Sequence, residues 1–179
     1  MNRSSVRFNP NFDLGGGGQV RGLIQLMSDI QSIKPAKQSW VEIGTWVGES
    51  ALIISSFNFI ETLNCVDPAI KECQDVLNKR LKHGLESSQI YLHNTTSEEY
   101  AKQIADYSVD GVYIDGCHSF ESVTSDLAIW HKKIKKDGLI CGHDYSQPWP
   151  GVRDAIDNFC KEHNYKIKKY VDASWRILR

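Results

Sequence analysis

A series of short, almost unbroken apolar runs, each separated from the next by a segment of helical period, constrains this chain most. The runs are Trp40–Ile43, Thr62–Val66, Ile90–Leu92, Val112–Ile114 and Leu139–Cys141. A strand with one face in water alternates apolar and polar residues; a strand covered by helices on both faces is apolar throughout. The spacing predicts helices over Glu49–Phe57, Ile70–Leu81, Glu98–Tyr107 and Phe120–Lys135, and another over about Gln19–Ile33. In the fourth of these, Phe120, Val123, Leu127, Trp130 and Ile134 share one face, and Asp137-Gly138 is expected to end it. Thr96 with Glu99 fits a capping box at the start of another. After a helix around Val152–His163, the runs Tyr165–Val171 and Ser174–Leu178 are joined by only Asp172-Ala173, too short for a parallel crossover. They are expected to pair as an antiparallel hairpin at the sheet edge. The fold class is therefore α/β: a doubly wound, mostly parallel sheet with helices on both faces.

The 179 residues suffice for one such domain, expected over 39–179, with 1–38 a lead-in and helix of the same unit. The 21 basic side chains are balanced by 22 acidic ones, for a net charge of -1, which argues against a nucleic-acid partner held by bulk charge. No run approaches the roughly 18 apolar residues of a membrane helix. Met1–Pro10 carries Arg3 and Arg7 but no apolar core of a secretory signal. The five cysteines (Cys65, Cys73, Cys117, Cys141, Cys160) are odd in number and never spaced CxxC, so they read as reduced thiols. A cytoplasmic protein is expected, with a homo-oligomer allowed.

Ligands of open α/β sheets bind at the carboxyl ends of the strands. The first run ends in Glu42-Ile43-Gly44-Thr45-Trp46-Val47-Gly48-Glu49-Ser50. Gly44 suits a tight turn and Gly48 a close approach to the next helix. Trp46 stands where a GxGxxG fingerprint has its middle glycine, which argues against a pyrophosphate there, and so against NAD or FAD. Plain strand–helix packing explains the two glycines equally well. Asp67, ending the second run, lies at the spacing at which nucleotide-binding folds place an acid on ribose hydroxyls; it would also cap the following helix.

These segments, with Ile114–Glu121, Asp126–Trp130 and Gly138–Tyr145, resemble the class I S-adenosylmethionine-dependent methyltransferases. Within these the similarity is to the small family 24 type, related to macrolide-sugar and catechol O-methyltransferases, over about Trp40 to Arg179. The resemblance implies a Rossmann-like sheet of seven strands whose last strand is antiparallel. It implies S-adenosyl-L-methionine as cofactor, with Glu42, Gly44 and Gly48 around the methionine portion and Thr45 and Ser50 of the same loop among the cofactor-binding residues. Asp67 would hold the ribose, Thr95 in Asn94–Ser97 would lie near the adenine, and Asp115 would face the sulfonium cation.

The next two strand ends give Asp115-Gly116-Cys117-His118 and Gly142-His143-Asp144-Tyr145. Asp115, His143 and Asp144 offer two oxygens and a nitrogen to a divalent metal, magnesium or similar. Metal-dependent relatives hold magnesium with an acid after the fourth strand and an acid–acid or acid–amide pair after the fifth. Here His143 stands first in that pair, and Cys117 stands where a related pattern has Asp. Without metal, His118 or His143 is the expected general base, beside Asp115.

His83, His93, His131 and His163 read as structural or exposed, Asp126 as a structural or solvent-facing acid, Cys117 as a small packed thiol, and Trp40 and Trp130 as core. Gln147–Pro150, with Tyr145 and Trp149, offers aromatic surface to a small-molecule acceptor. Phe12–Gly18 is a flexible lead-in or a lid hinge. The expected activity is O-methylation of a small-molecule or sugar hydroxyl. The alternatives are a metal-dependent hydrolase, a nicotinamide enzyme, or a non-catalytic S-adenosylmethionine-binding module.

Overall fold

The structure, a computed structural model, describes residues 20–179; Phe12–Gly18 and the lid reading lie outside the described residues. The chain runs α1 (Val20–Ile33), β1 (Gln38–Ile43), α2 (Glu49–Ser55), β2 (Ile60–Val66), α3 (Gln74–Arg80), α4 (Lys82–Glu86) and β3 (Ile90–His93). It continues through α5 (Ser97–Ala101), β4 (Val109–Ile114), α6 (Phe120–Lys133), β5 (Ile134–Gly142), α7 (Pro150–His163), β6 (Lys166–Lys169) and β7 (Trp175–Leu178). The seven strands form one sheet in the order β3-β2-β1-β4-β5-β7-β6. The first five are parallel, and β7 pairs antiparallel with both β5 and β6. This is the Rossmann-like, seven-stranded architecture that the sequence predicts. The hairpin lies at the edge as expected, with β6 outermost, but its strands are shorter than predicted, and Tyr170 to Ser174 join them through a 3-10 turn over Val171–Ala173 rather than Asp172-Ala173 alone.

Each sheet face carries its own apolar layer, which is why the strand sequences do not alternate. On one face Leu26, Met27 and Ile30 of α1 and Ile54 of α2 pack with Trp40, Leu63 and Tyr113. On the other, Leu127 and Trp130 of α6 and Ile156 of α7 pack with Val41, Val112 and Ile140. Burying a side chain of this size contributes roughly 1.5–3 kcal/mol, so these layers dominate stability and fix where the strand tips lie. Trp40 and Trp130 are fully buried, as expected. Among the described residues no helix is long and apolar enough to cross a membrane.

Three helix boundaries differ from the sequence expectation. Helix α6 ends at Lys133 because Ile134 turns extended and pairs with Val109, so Asp137-Gly138 lies inside β5 and stops nothing. Burial of Ile134 against β4 outweighs its place on the helical face. Helix α5 stops at Ala101; beyond it the backbone amides of Tyr107 and Ser108 donate to the carbonyls of Lys132 and Lys133. The segment predicted as Ile70–Leu81 begins as turns and becomes helical only at Gln74. The Thr96 cap is as expected, its hydroxyl accepting from the Glu99 amide at 3.3 Å.

Candidate active site

A cavity of about 760 Å³ lies across the carboxyl ends of β1, β2, β4 and β5, lined among others by Gly44, Thr45, Asp67, Asp115, His118 and Asp144. Its floor is made by the turn after β1. Gly44 has φ +88°, and a Cβ there would lie 2.1 Å from the Asp115 carbonyl oxygen, so the tips of β1 and β4 press together only around a glycine. Trp46, at φ 42°, is held by its amide donating to Asp67 Oδ2 at 2.8 Å, while the Ala69 amide donates to Asp67 Oδ1 at 2.8 Å. Asp67 therefore fixes the turn after β1 and caps the turn after β2, and it lines the cavity as well. Arg80 ties the same loop to α3, donating to the Val47 carbonyl at 2.7 Å.

Four residues expected around the cofactor do not line this cavity. Glu42 is wholly buried beneath it, Oε2 accepting from the Thr45 hydroxyl at 2.8 Å and Oε1 without a partner among the described residues. It acts on the cavity through Thr45, and through charge. Burial pushes its carboxyl up to about 7, against the opposing effect of the Ser50 and Thr45 hydroxyls. Ser50 thus faces Glu42. Gly48, at φ +79°, makes room for Leu77 and Leu81 of the helices behind it, which is the packing reading of that glycine. Thr95 is spent on a local turn, its amide donating to the His93 carbonyl, and Thr96 and Ser97 reach the cavity instead.

The acceptor side also differs from expectation. His143, expected as a metal ligand and base, is only 5% exposed and does not line the cavity. It lies beneath the floor, Nδ1 3.1 Å from Asp144 Oδ1 and Nε2 3.9 Å from Asp172 Oδ1. The backbone at this point is held against β7, the Trp175 ring N–H donating to the His143 carbonyl at 2.7 Å. Burial works against its charged form, yet Asp144 and Asp115 together raise its pKa. In its place His118 enters the cavity. Its Nε2 lies 2.8 Å from Asp144 Oδ2, and its ring stacks on Trp149 at 4.1 Å between centroids. Asp115, His118 and Asp144 present ligand atoms all within 4.8 Å of one another. Burial pushes Asp115 up to about 7, and Asp144 beside it adds to the rise. Burial also opposes ionisation of Asp144, but His143 and His118 hold it below the usual carboxylate range.

Cys117, expected to be packed, is exposed at the cavity rim, and hydrogen bonds from Ser122 and Ser119 lower its pKa. Asp126 is buried and structural as expected, but it also lines the cavity. His93 bonds Asn64, and His131 and His163 stack among Phe159 and Tyr165, the structural roles read for them. Sequence reasoning missed Asp172. It accepts from the Gly22 amide of α1 and from Ser174, at φ 64°, and reaches toward His143. An Asp at the bend between the last two apolar runs was the available signal.

A sequence profile described as a methyltransferase domain matches residues 41–145, from β1 through the Asp144 turn. The chain belongs to that methyltransferase family. A curated relative, uncharacterized protein R132 of Acanthamoeba polyphaga mimivirus, is 28% identical over 148 residues, which is 78% of this chain and 66% of the relative. The chain thus spans just under two thirds of that protein. Among solved structures, a Corynebacterium glutamicum protein superposes with a TM-score of 0.67 at 14% identity, covering 86% of this chain and 78% of that one. The O-methyltransferase NovP superposes with a TM-score of 0.64 at 14% identity, covering 88% of this chain and 77% of that one. Family membership favours methyl transfer over the hydrolase and nicotinamide readings.

Proposed function

We propose that the protein transfers the methyl group of S-adenosyl-L-methionine to a hydroxyl oxygen of a small-molecule or sugar acceptor. The observation that carries this is the convergence, in one cavity, of the Gly44–Thr45 turn, the ribose-type acid Asp67 and the triad Asp115, His118 and Asp144. A volume of about 760 Å³ suits the donor together with a small acceptor. The donor is a sulfonium cation, and the acids at the strand tips, with Glu42 behind them, supply the charge that favours it. The acceptor oxygen forms its bond to the methyl carbon as the carbon–sulfur bond breaks, and the sulfur leaves with the bonding pair as a neutral thioether. Alignment of the two bound reactants supplies most of the acceleration. Membership of the methyltransferase family and the fold shared with NovP support this reading.

The donor set of Asp115, His118 and Asp144, two carboxylates and an imidazole, fits a divalent cation, with His118 in the place expected for His143. Such an ion would lower the acceptor hydroxyl's pKa. The 2.8 Å contact of His118 with Asp144 favours a second, metal-free reading in which Asp144 orients His118 and the imidazole takes the hydroxyl proton.

Calorimetry with S-adenosylmethionine and S-adenosylhomocysteine tests the donor. Wild type is expected to bind both, and Asp67→Ala to weaken binding by about tenfold or more, since charge-assisted hydrogen bonds to the ribose are lost. No heat with either ligand on folded wild type overturns the proposal. Activity that survives exhaustive chelation selects His118 as base; activity lost and restored by added magnesium or manganese selects the metal.

A further inference from the structure

The charge of the cavity wall is one-sided. Among the described residues that line it, Glu49, Asp67, Glu98, Asp115, Asp126 and Asp144 are acids, His118 is the only imidazole, and there is no lysine or arginine. The chain as a whole is balanced, with 21 basic side chains against 22 acidic ones. Cations that pair with the lining acids stand outside the wall. Arg80 Nη2 lies 3.5 Å from Glu49 Oε1 and Lys102 Nζ lies 3.9 Å from Glu98 Oε1, and neither lines the cavity.

A second observation comes from beneath the floor. Glu42 is fully buried, with Oε1 unpartnered among the described residues and Oε2 bonded to Thr45, which lines the cavity. Burial raises its carboxyl to about 7, and the charge of Asp67 adds to the rise. A buried carboxylate left in this way is relieved by positive charge above it. The donor does not exhaust that demand. S-adenosylmethionine carries a sulfonium and an ammonium against one carboxylate, one net positive charge. A divalent ion at the triad would offset two charges more, and a surplus of acids over cations would remain in the wall. Protonation of Asp115 and Asp126, whose pKa values burial raises, weakens the repulsion of an anion but supplies no cation to attract it.

We propose that the acceptor is a hydroxyl compound that also carries a protonated amine, and that the cavity rejects acceptors bearing a carboxylate or a phosphate. An ammonium group entering the cavity meets carboxylates along its wall, whereas an anionic group finds no lysine or arginine among the described lining residues. The inference rests on the methyl-transfer reading above and adds to it the charge class of the substrate.

The test uses the full wild-type chain saturated with S-adenosylhomocysteine and two sets of probes matched in size. One set is tyramine, 4-ethylphenol and 4-hydroxyphenylacetate; the other is 4-amino-1-butanol, 1-pentanol and 4-hydroxybutyrate. Ligand-observed NMR titrations at pH 7.5 and low salt are expected to show the amine ahead of its matched acid by about tenfold or more. The ratio is expected to shrink in about 0.5 M sodium chloride, because the preference is electrostatic. An acid that binds within about threefold of its amine overturns the inference and leaves the donor reading intact. So does a ratio that salt leaves unchanged. Binding of no probe at about 50 mM, on protein that holds S-adenosylhomocysteine, also overturns it, since a wall that attracts by charge retains a small amine weakly. Failure of the chain to bind S-adenosylhomocysteine overturns the donor reading, and this inference with it. Every arm uses the wild-type chain, so no result depends on whether a variant folds.

Discussion

Replacing Glu42 by Gln should make the protein more stable at pH 8 and leave it nearly unchanged at pH 5. Glu42 is fully buried, and burial raises its pKa from 4.5 to about 7. A carboxyl that is harder to ionise folded than unfolded binds its proton more tightly in the folded state. Its contribution to stability is therefore complete below pH 4.5 and is lost as the pH rises through about 7. At about 1.4 kcal/mol for each pH unit between those values, the loss amounts to about 3 kcal/mol. Glutamine stays neutral throughout and can still accept from the Thr45 hydroxyl, so it removes this loss and little else. Urea unfolding of both proteins at pH 5, 6, 7 and 8, without donor, is the assay. The two should differ by less than about 1 kcal/mol at pH 5 and separate to about 3 kcal/mol at pH 8. Burial still raises the Asp115 pKa in the variant, though without the Glu42 charge that adds to the rise, so the variant's curve should still fall, but less steeply. Parallel curves across the whole range would refute the reasoning, since they would mean that Glu42 is not the group being desolvated.

Gly44→Ala should destabilise the fold by roughly 2–5 kcal/mol, combining an unfavourable positive φ with a clash against the Asp115 carbonyl; an unchanged melting curve contradicts that geometry. His118→Asn should leave stability within about 0.5 kcal/mol, since the residue is part-exposed, while methyl transfer falls by about 10²-fold or more. His143→Asn should do the opposite in emphasis. Removing the imidazole from among Asp144, Asp115 and Asp172 should cost about 2–4 kcal/mol of stability at pH 7, measured by denaturant unfolding. Equal melting points for the two histidine variants would contradict the placing of His143 beneath the floor and His118 in the cavity wall.

The architecture was legible because it depends on period and run length, which a sequence states directly. Apolar strands, an amphipathic α6 and a short connection between the last two runs left little choice of topology. The loop residues Gly44 and Asp67 were legible for a related reason: a positive φ and a strand-end acid are local requirements. The histidines were not. His118 and His143 both follow strands and both neighbour acids, and what separates them is the Trp175–His143 contact across the sheet and the Trp149 ring over His118. Neither contact has a sequence spacing that announces it. Glu42 failed for another reason. Its place at a strand tip was right, but the pleat decides whether a tip residue points into the cavity or below it, and Thr45 took the outward position. Asp126 looked structural from helical position alone, and only the packing of α5 on α6 opens it to the cavity.

The acids of the site fall into two pairs by what sets their charge, and that division bears on how the cavity treats a cation. Asp67 and Asp144 are the pair held by neighbouring donors and cations, Asp67 by two backbone amides and Asp144 by the His118 and His143 rings beside it. In Glu42 and Asp115 desolvation dominates instead and drives both to about 7. Near neutral pH this second pair is poised between charge states, so its ionisation follows what the cavity contains. A cation entering favours the ionised forms and is held by them, whereas a neutral thioether of the same shape receives no such gain. A site of this kind distinguishes a positively charged donor from its neutral product by charge alone, with no change in the contacts around the sugar. The stability that buried acids subtract from the empty fold is thus the same free energy that a cationic ligand recovers on binding.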